Sequence, residues 1–219
     1  MKPLGILMLD TRFPRIMGDI GNPASFDFPV IFRTMTGIGP ADAVTAHPDR
    51  RRVLAALQAN AKALAADGAV GLATSCGFLA LYQKDLEILS PIPVAASALL
   101  LIKTLTGRKV GVLTASAENL TPAHFEAVDA PPDTPAEGLP YDSSFASTFL
   151  HDGLTLDRDA VEREVIAAGR ALIGRHPGID TIVLECANLP PYKVALKAAL
   201  GMPVFDVIDL LNDFRAGLT

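Results

Sequence analysis

Two cysteines, Cys76 and Cys186, are the residues of this 219-residue chain best suited to chemistry. They form no CxxC pattern and have no histidine cluster beside them, so neither a disulfide framework nor a structural zinc site accounts for them. Free thiols remain, able to act as nucleophiles or as acid and base. The ordinary thiol pKa of about 8.5 falls at a helix N-terminus or beside a positive charge, so one thiolate and one thiol can coexist near neutral pH. Two like groups on opposite faces of a carbon next to a carboxyl or carbonyl are what racemisation needs. One removes the proton and the other returns one, whichever hand the substrate has.

Both cysteines occupy the same place in a repeated pattern. Cys76 is followed 17 positions later by Pro93-Val94, and Cys186 is followed 17 positions later by Pro203-Val204. Upstream, Leu4-Gly5-Ile6-Leu7 resembles Val110-Gly111-Val112-Leu113, the glycines standing 71 and 75 positions before their cysteines. The cysteines themselves are 110 residues apart, a period longer than that of solenoid repeats and suited to a duplicated half-domain.

The elements that must position the thiols repeat in the same order. Leu4–Leu9 reads as a buried strand ending at Asp10-Thr11, followed by a loop over 12–28 rich in Gly, Pro, Asn and Asp, of a length used for lids. Pro29–Met35 reads as extended. A helix after His47-Pro48-Asp49 carries Val53, Leu57, Ala61 and Leu64 on one face, and strand Ala69–Thr74 then delivers Ser75-Cys76-Gly77. A helical run Phe78–Leu89 and a short strand at Pro93-Val94 complete the first half.

The second half offers strand Lys109–Thr114, a helix near Pro122–Val128, and an irregular connector at 129–142. A helix from Asp157 follows, with Val161, Val165, Ala168 and Leu172 on one stripe, and strand Ile179–Leu184 leads to Glu185-Cys186-Ala187-Asn188. Helix Pro191–Leu200, strand Pro203–Phe205 and helix Val207–Gly217 close the chain. Such alternation predicts an α/β fold of two pseudo-symmetric lobes, each a parallel sheet flanked by helices, with the active site in the cleft between them. The expected lobes are 1–103 plus 206–219, holding Cys76, and 104–205, holding Cys186.

Composition narrows the function classes. A formal charge of −5 and a pI near 5.3 argue against a nucleic-acid surface or a polybasic membrane patch. No apolar run approaches a membrane span, and the N-terminus lacks a secretory pattern, so a cytoplasmic protein acting on a small molecule is expected. Half the residues are hydrophobic, which is compatible with a homodimer as well as with a large core.

Thr74-Ser75-Cys76-Gly77, Glu185-Cys186-Ala187-Asn188, the paired glycine strands and Asp10-Thr11 together resemble the aspartate/glutamate racemase superfamily over nearly the whole chain. That resemblance implies a racemase or epimerase independent of pyridoxal phosphate, with hydantoin racemases, maleate isomerases and arylmalonate decarboxylases as relatives. No cofactor and no metal is expected. Glutamate-type members tend to follow the first cysteine with Asn-Thr and the second with Thr-His. Here the successors are Gly77-Phe78 and Ala187-Asn188, so the resemblance carries the reaction class further than the substrate.

The catalytic candidates are therefore Cys76 and Cys186. The candidates for holding a small carboxylate are Asp10, Thr11, Ser75, Gly77, Thr114, Ser116, Ala187 and Asn188, all at the expected carboxyl ends of strands. Each has a plainer reading: Asp10 as the start of a turn, the hydroxyls as satisfying local backbone, Asn188 as a cap. Glu185 would point away from Cys186 if the strand ran through it, and reads as structural or as a support behind the site. His47, His124, His151 and His176 lack metal-ligand spacing and read as caps or solvent-exposed groups. The alternatives to racemisation are a decarboxylase or cis-trans isomerase using one cysteine, and a non-catalytic binder or redox sensor with a switchable Cys76–Cys186 bridge.

Overall fold

A computed structural model of the chain describes residues 1–218. Eight strands form two separate four-stranded sheets, all pairs parallel. The first contains β1 (Leu4–Leu9), β2 (Val30–Met35), β3 (Leu72–Thr74) and β4 (Val94–Ala95), in the order β2-β1-β3-β4. The second contains β5 (Val110–Thr114), β6 (Ala136–Gly138), β7 (Thr181–Leu184) and β8 (Val204–Phe205), in the order β6-β5-β7-β8. The two orders are the same, so the repeat seen in the sequence is a repeat of topology.

The α-helices are α1 (Pro40–Ala43), α2 (Arg50–Ala66), α3 (Gln83–Leu89), α4 (Pro122–Glu126), α5 (Arg158–Arg175), α6 (Lys193–Leu200) and α7 (Val207–Ala216). Helix α2 starts where Asp49 accepts from the Arg52 N–H, and α5 where Asp157 accepts from the Ala160 N–H. Their buried stripes include Val53, Leu57, Ala61 and Leu64 in α2 and Val161, Val165, Ala168 and Leu172 in α5, the 3.6-residue pattern expected from the sequence. The paired glycines let these helices sit close. A Cβ on Gly5 would stand 3.0 Å from a Leu64 methyl of α2, and one on Gly111 would stand 2.9 Å from a Leu172 methyl of α5. Helix α7 packs on β4 and on a 3-10 helix, Ala98–Thr104, that precedes the second sheet.

Three sequence expectations change. The connector expected at 129–142 contains strand β6, an edge strand paired to β5 through Val112 and Ala136. Three residues are too few to display a strand period, which is why the sequence hid it. The helix expected over Phe78–Leu89 is a 3-10 helix, Gly77–Tyr82, that passes into α3. Its counterpart expected over Pro191–Leu200 is a 3-10 turn, Pro190–Tyr192, followed by α6.

Candidate active site

Matching hydrogen bonds set the two cysteines in place. The residue before each one donates its backbone N–H to the central strand of its own sheet: Ser75 to the Leu7 carbonyl at 2.9 Å, and Glu185 to the Leu113 carbonyl at 2.8 Å. The carbonyl of each cysteine then accepts from the N–H three residues on, Leu79 at 3.0 Å and Leu189 at 3.1 Å. Each chain thus leaves its strand, turns at the cysteine and enters a tight helical turn. Both thiols are free, buried, and on the wall of one cavity.

That cavity is mostly apolar. Phe13, from the loop between β1 and β2, meets Phe149 edge-on with ring centres 5.0 Å apart, and Phe145 lies 4.9 Å from Phe149. Phe78 supplies a fourth ring to the lining. Phe145 caps and Phe149 belongs to a π-helical turn, Ala146–Leu150, which the sequence did not announce. Of the loop expected over 12–28, Phe13 and Arg15 reach the cavity. The loop is held there by Asp152, whose carboxylate accepts from the Arg12 and Phe13 N–H groups at 2.6 and 3.2 Å and from Arg12 Nε at 3.1 Å.

A polar chain runs from the second cysteine to this loop. Cys186 Sγ lies 3.7 Å from Asn188 Oδ1, and Asn188 Nδ2 donates to Asp19 at 2.7 Å. Asp19, buried, also accepts from Arg15 Nη1 at 2.8 Å and from the Gly21 N–H at 2.7 Å. Arg15 Nη2 donates to Thr11 Oγ1 at 2.9 Å, and its guanidinium lies 4.4 Å over the Phe13 ring. Asn188 and Asp19 are 169 residues apart, one in each half of the chain.

The carboxyl of Glu185 is fully buried. Its Oε2 accepts from Thr114 Oγ1 at 2.7 Å, while Oε1 has no hydrogen-bond partner among the described residues. The side chain fills a notch left by Gly77, where an added Cβ would collide with the Glu185 carbonyl oxygen and Oε1. Burial raises the Glu185 pKa to about 8, against the pull of the Thr114 hydrogen bond.

Neither thiol is lowered as the sequence led one to expect. Burial, and next the Glu185 charge, push Cys76 up to about 12, although N–H groups of Phe78 and Leu79 and the Arg15 charge pull it down. Cys186 is also driven well above its ordinary value, by burial first, then by Glu185, with Cys76 and Asp19 adding to it. Short 3-10 turns in an apolar pocket return less stabilisation to a thiolate than desolvation removes.

Of the expected ligand-holding residues, Ser75, Gly77 and Asn188 line the cavity. Ser75 Oγ accepts from the Leu9 N–H at 2.9 Å, and Thr114 supports Glu185 from below. Ala187 is buried, and its carbonyl takes the Ile20 N–H of the covering loop at 3.4 Å. Thr11 does not line the cavity but holds Arg15, and Ser116 lies in an adjoining groove, bonded to Asn119 at 3.0 Å. Asp10 is elsewhere altogether: exposed, it accepts from the Gly37 N–H at 2.8 Å, because the chain after β1 turns toward the end of β2.

Glu185 and Asp19 are the acidic residues the sequence reading did not place at this site, and Phe13, Arg15, Phe145 and Phe149 of its lining were missed as well. The Glu185 reading assumed that strand alternation persists, yet β7 ends at Leu184 and the pleat no longer orients the next side chain. Among the described residues, no cluster of three or more His, Cys, Asp or Glu is placed to hold a metal ion.

The model of the Asp/Glu/Hydantoin racemase family matches residues 30–212. A dimethylsulfoniopropionate lyase of Durusdinium sp. clade D is 29% identical over 98% of this chain and 74% of its own length. Dimethylsulfoniopropionate lyase 5 of Emiliania huxleyi is also 29% identical over 99% of the chain, which spans only 45% of that longer protein. Among solved structures, a Gly74Cys mutant of arylmalonate decarboxylase superposes with a TM-score of 0.63 at 17% identity, covering 93% of this chain and 88% of that one. Allantoin racemase from Pseudomonas fluorescens gives 0.62 at 13%, covering 99% and 93%. These structural likenesses establish the two-lobed fold.

Proposed function

This chain belongs to the Asp/Glu/Hydantoin racemase family, and from that premise we propose that it moves a proton at a carbon alpha to a carboxylate, Cys76 and Cys186 serving opposite faces, as a racemase or epimerase of a small acid. The observation that carries this reading is the placement of both thiols, from equivalent strand ends, on one cavity. One cysteine as thiolate takes the α-proton and becomes a thiol. The C–H pair is left as an enediolate, and the other thiol delivers its proton to the far face and becomes the thiolate. The high thiol pKa suits a weakly acidic carbon, since a stronger base has less ground to make up.

The substrate class follows from the lining. Four phenyl rings favour an apolar or onium substituent on the reacting carbon. Arg15 is already neutralised by Asp19, so backbone N–H groups near the thiols and Ser75 are the groups that would hold the carboxylate.

A second reading is favoured by the sequence relatives, which are named dimethylsulfoniopropionate lyases. After removal of the same α-proton, the carbanion pair forms a C=C bond and the Cβ–S bond breaks. The sulfonium sulfur takes the electron pair of the broken Cβ–S bond and leaves as dimethyl sulfide, and acrylate remains, with the proton on the thiol. One cysteine suffices, and the aromatic wall suits a sulfonium.

Incubation in heavy water with amino acids, hydroxy acids, hydantoins, malonates and dimethylsulfoniopropionate decides between these. Carbon-bound deuterium with loss of optical activity supports the racemase. Dimethyl sulfide in the headspace supports the lyase instead. Carbon dioxide from a malonate with no exchange elsewhere would move the protein to the decarboxylases of the fold and sink both.

A further inference from the structure

We propose that Glu185 is itself a catalytic residue, a carboxylic acid that stays neutral and donates its O–H through Oε1 to the carboxylate of the bound substrate. Three geometric observations converge on it. Glu185 is fully buried yet is among the residues lining the cavity that holds both thiols. One oxygen is fixed by Thr114 and the other is unpartnered, so a proton on Oε1 has no protein acceptor to satisfy it. The absent side chain at Gly77 leaves the space in which that oxygen sits, directly after Cys76.

An ionised Glu185 would work against the reaction. It would repel a substrate carboxylate and oppose formation of either thiolate, since its charge is the second largest influence raising both cysteines. A neutral acid removes both penalties and adds a donor where enediolate charge develops. The titratable groups around it leave it in that state. Cys76 and Cys186 face it, both with pKa values driven above the ordinary thiol range, and Arg15 and Asp19, whose charges act on those thiols, are paired with each other. From β5 the Thr114 hydroxyl donates to it. His124, on α4, reaches the Gly77–Tyr82 turn through the Phe78 ring, with burial lowering its pKa.

This inference rests on the proposed function in one respect, that the ligand is a carboxylate, and its test uses binding rather than turnover. Phenylacetate, fully ionised throughout, is titrated into wild type, Glu185→Gln and Glu185→Met by calorimetry between about pH 6 and about pH 10. If a neutral Glu185 donates to the anion, wild-type affinity falls roughly tenfold per pH unit above a midpoint near 8. Glu185→Gln, a neutral donor, binds within a few-fold of wild type at pH 7 and loses that dependence. Glu185→Met, of similar size without a donor, binds at least about tenfold more weakly at pH 7. Wild-type binding that is flat with pH, a glutamine variant as weak as the methionine one, or no phenylacetate binding at any pH would each overturn the assignment. If pH-linked binding appears while the substrate panel shows no turnover, the proposed reaction fails and the Glu185 assignment stands.

Discussion

The two lobes share strand order, strand-end hydrogen bonds and a cysteine, but differ in the residue before that cysteine. In the first lobe it is Ser75, whose hydroxyl oxygen accepts from the Leu9 N–H of its own sheet. In the second it is Glu185, whose carboxyl is spent only in part, on Thr114. The electrostatics diverge accordingly. Glu185 opposes ionisation of both thiols, but Arg15 eases that of Cys76, whereas Cys76 and Asp19 add to the opposition at Cys186, where the Asn188 N–H works the other way. A duplicated frame thus supplies two thiols at matched positions, and the unmatched residues bias which one ionises first. Under the proposed reaction, the Arg15 charge makes Cys76 the candidate for the first base.

The largest effect expected from breaking this comparison is on the thiols themselves. Cys76→Ser and Cys186→Ser should each lower racemisation by about 10²- to 10⁴-fold, the usual worth of a positioned acid or base. Stopped assays on both hands of a substrate check it, and a Cys186→Ser enzyme that still racemises at full rate would reduce the symmetric scheme to a one-cysteine reaction. In wild type, kcat/KM should rise with pH from 6 toward 8, because forming the thiolate requires loss of a proton from a group raised to about 12.

Next in size is the notch at Gly77. Gly77→Ala brings a methyl into the Glu185 backbone and carboxyl, so overpacking should cost about 1–3 kcal/mol in urea unfolding. The equivalent position beyond the other cysteine, Ala187, already carries a Cβ. A Gly77→Ala protein as stable as wild type would mean that Glu185 does not occupy that space.

Glu185 also sets a pH dependence of stability. Its folded pKa of about 8 lies above that of an unfolded glutamate, so the native state holds an extra proton between the two values. The stabilisation is full below the unfolded pKa of about 4.3 and is lost as pH rises through 8. Thermal melts from about pH 5 to about pH 9 should therefore show wild type losing stability where Glu185→Gln does not. Parallel curves for the two proteins would contradict the raised pKa.

The smallest effect concerns the covering loop. Asp152→Ala removes three hydrogen bonds to Arg12 and Phe13 and should cost about 1–2 kcal/mol, with KM rising more than kcat falls. Unchanged KM would show that the loop needs no clasp to close the cavity.

Much of this frame was legible in the sequence, because the shared offsets from each cysteine to Pro-Val and to a glycine strand record which positions the two sheets place alike. The helix stripes were legible because burial follows a 3.6-residue period. What escaped were features without a period: the three-residue β6, the π-helical turn carrying Phe149, and the reach of Asp19 across 169 residues to Asn188. Asp10 was expected at the site because it ends the first strand. The chain direction after that strand, which no local pattern encodes, sends its side chain to Gly37 instead.

The central claim, that two thiols flank one carbon, is tested most directly by the early label in a single-hand substrate turned over in heavy water. If Cys76 and Cys186 each serve one face, the first product of opposite hand carries deuterium while recovered substrate still carries hydrogen. Deuterium appearing equally early in recovered substrate and product would show a single base working both faces, and would contradict the account.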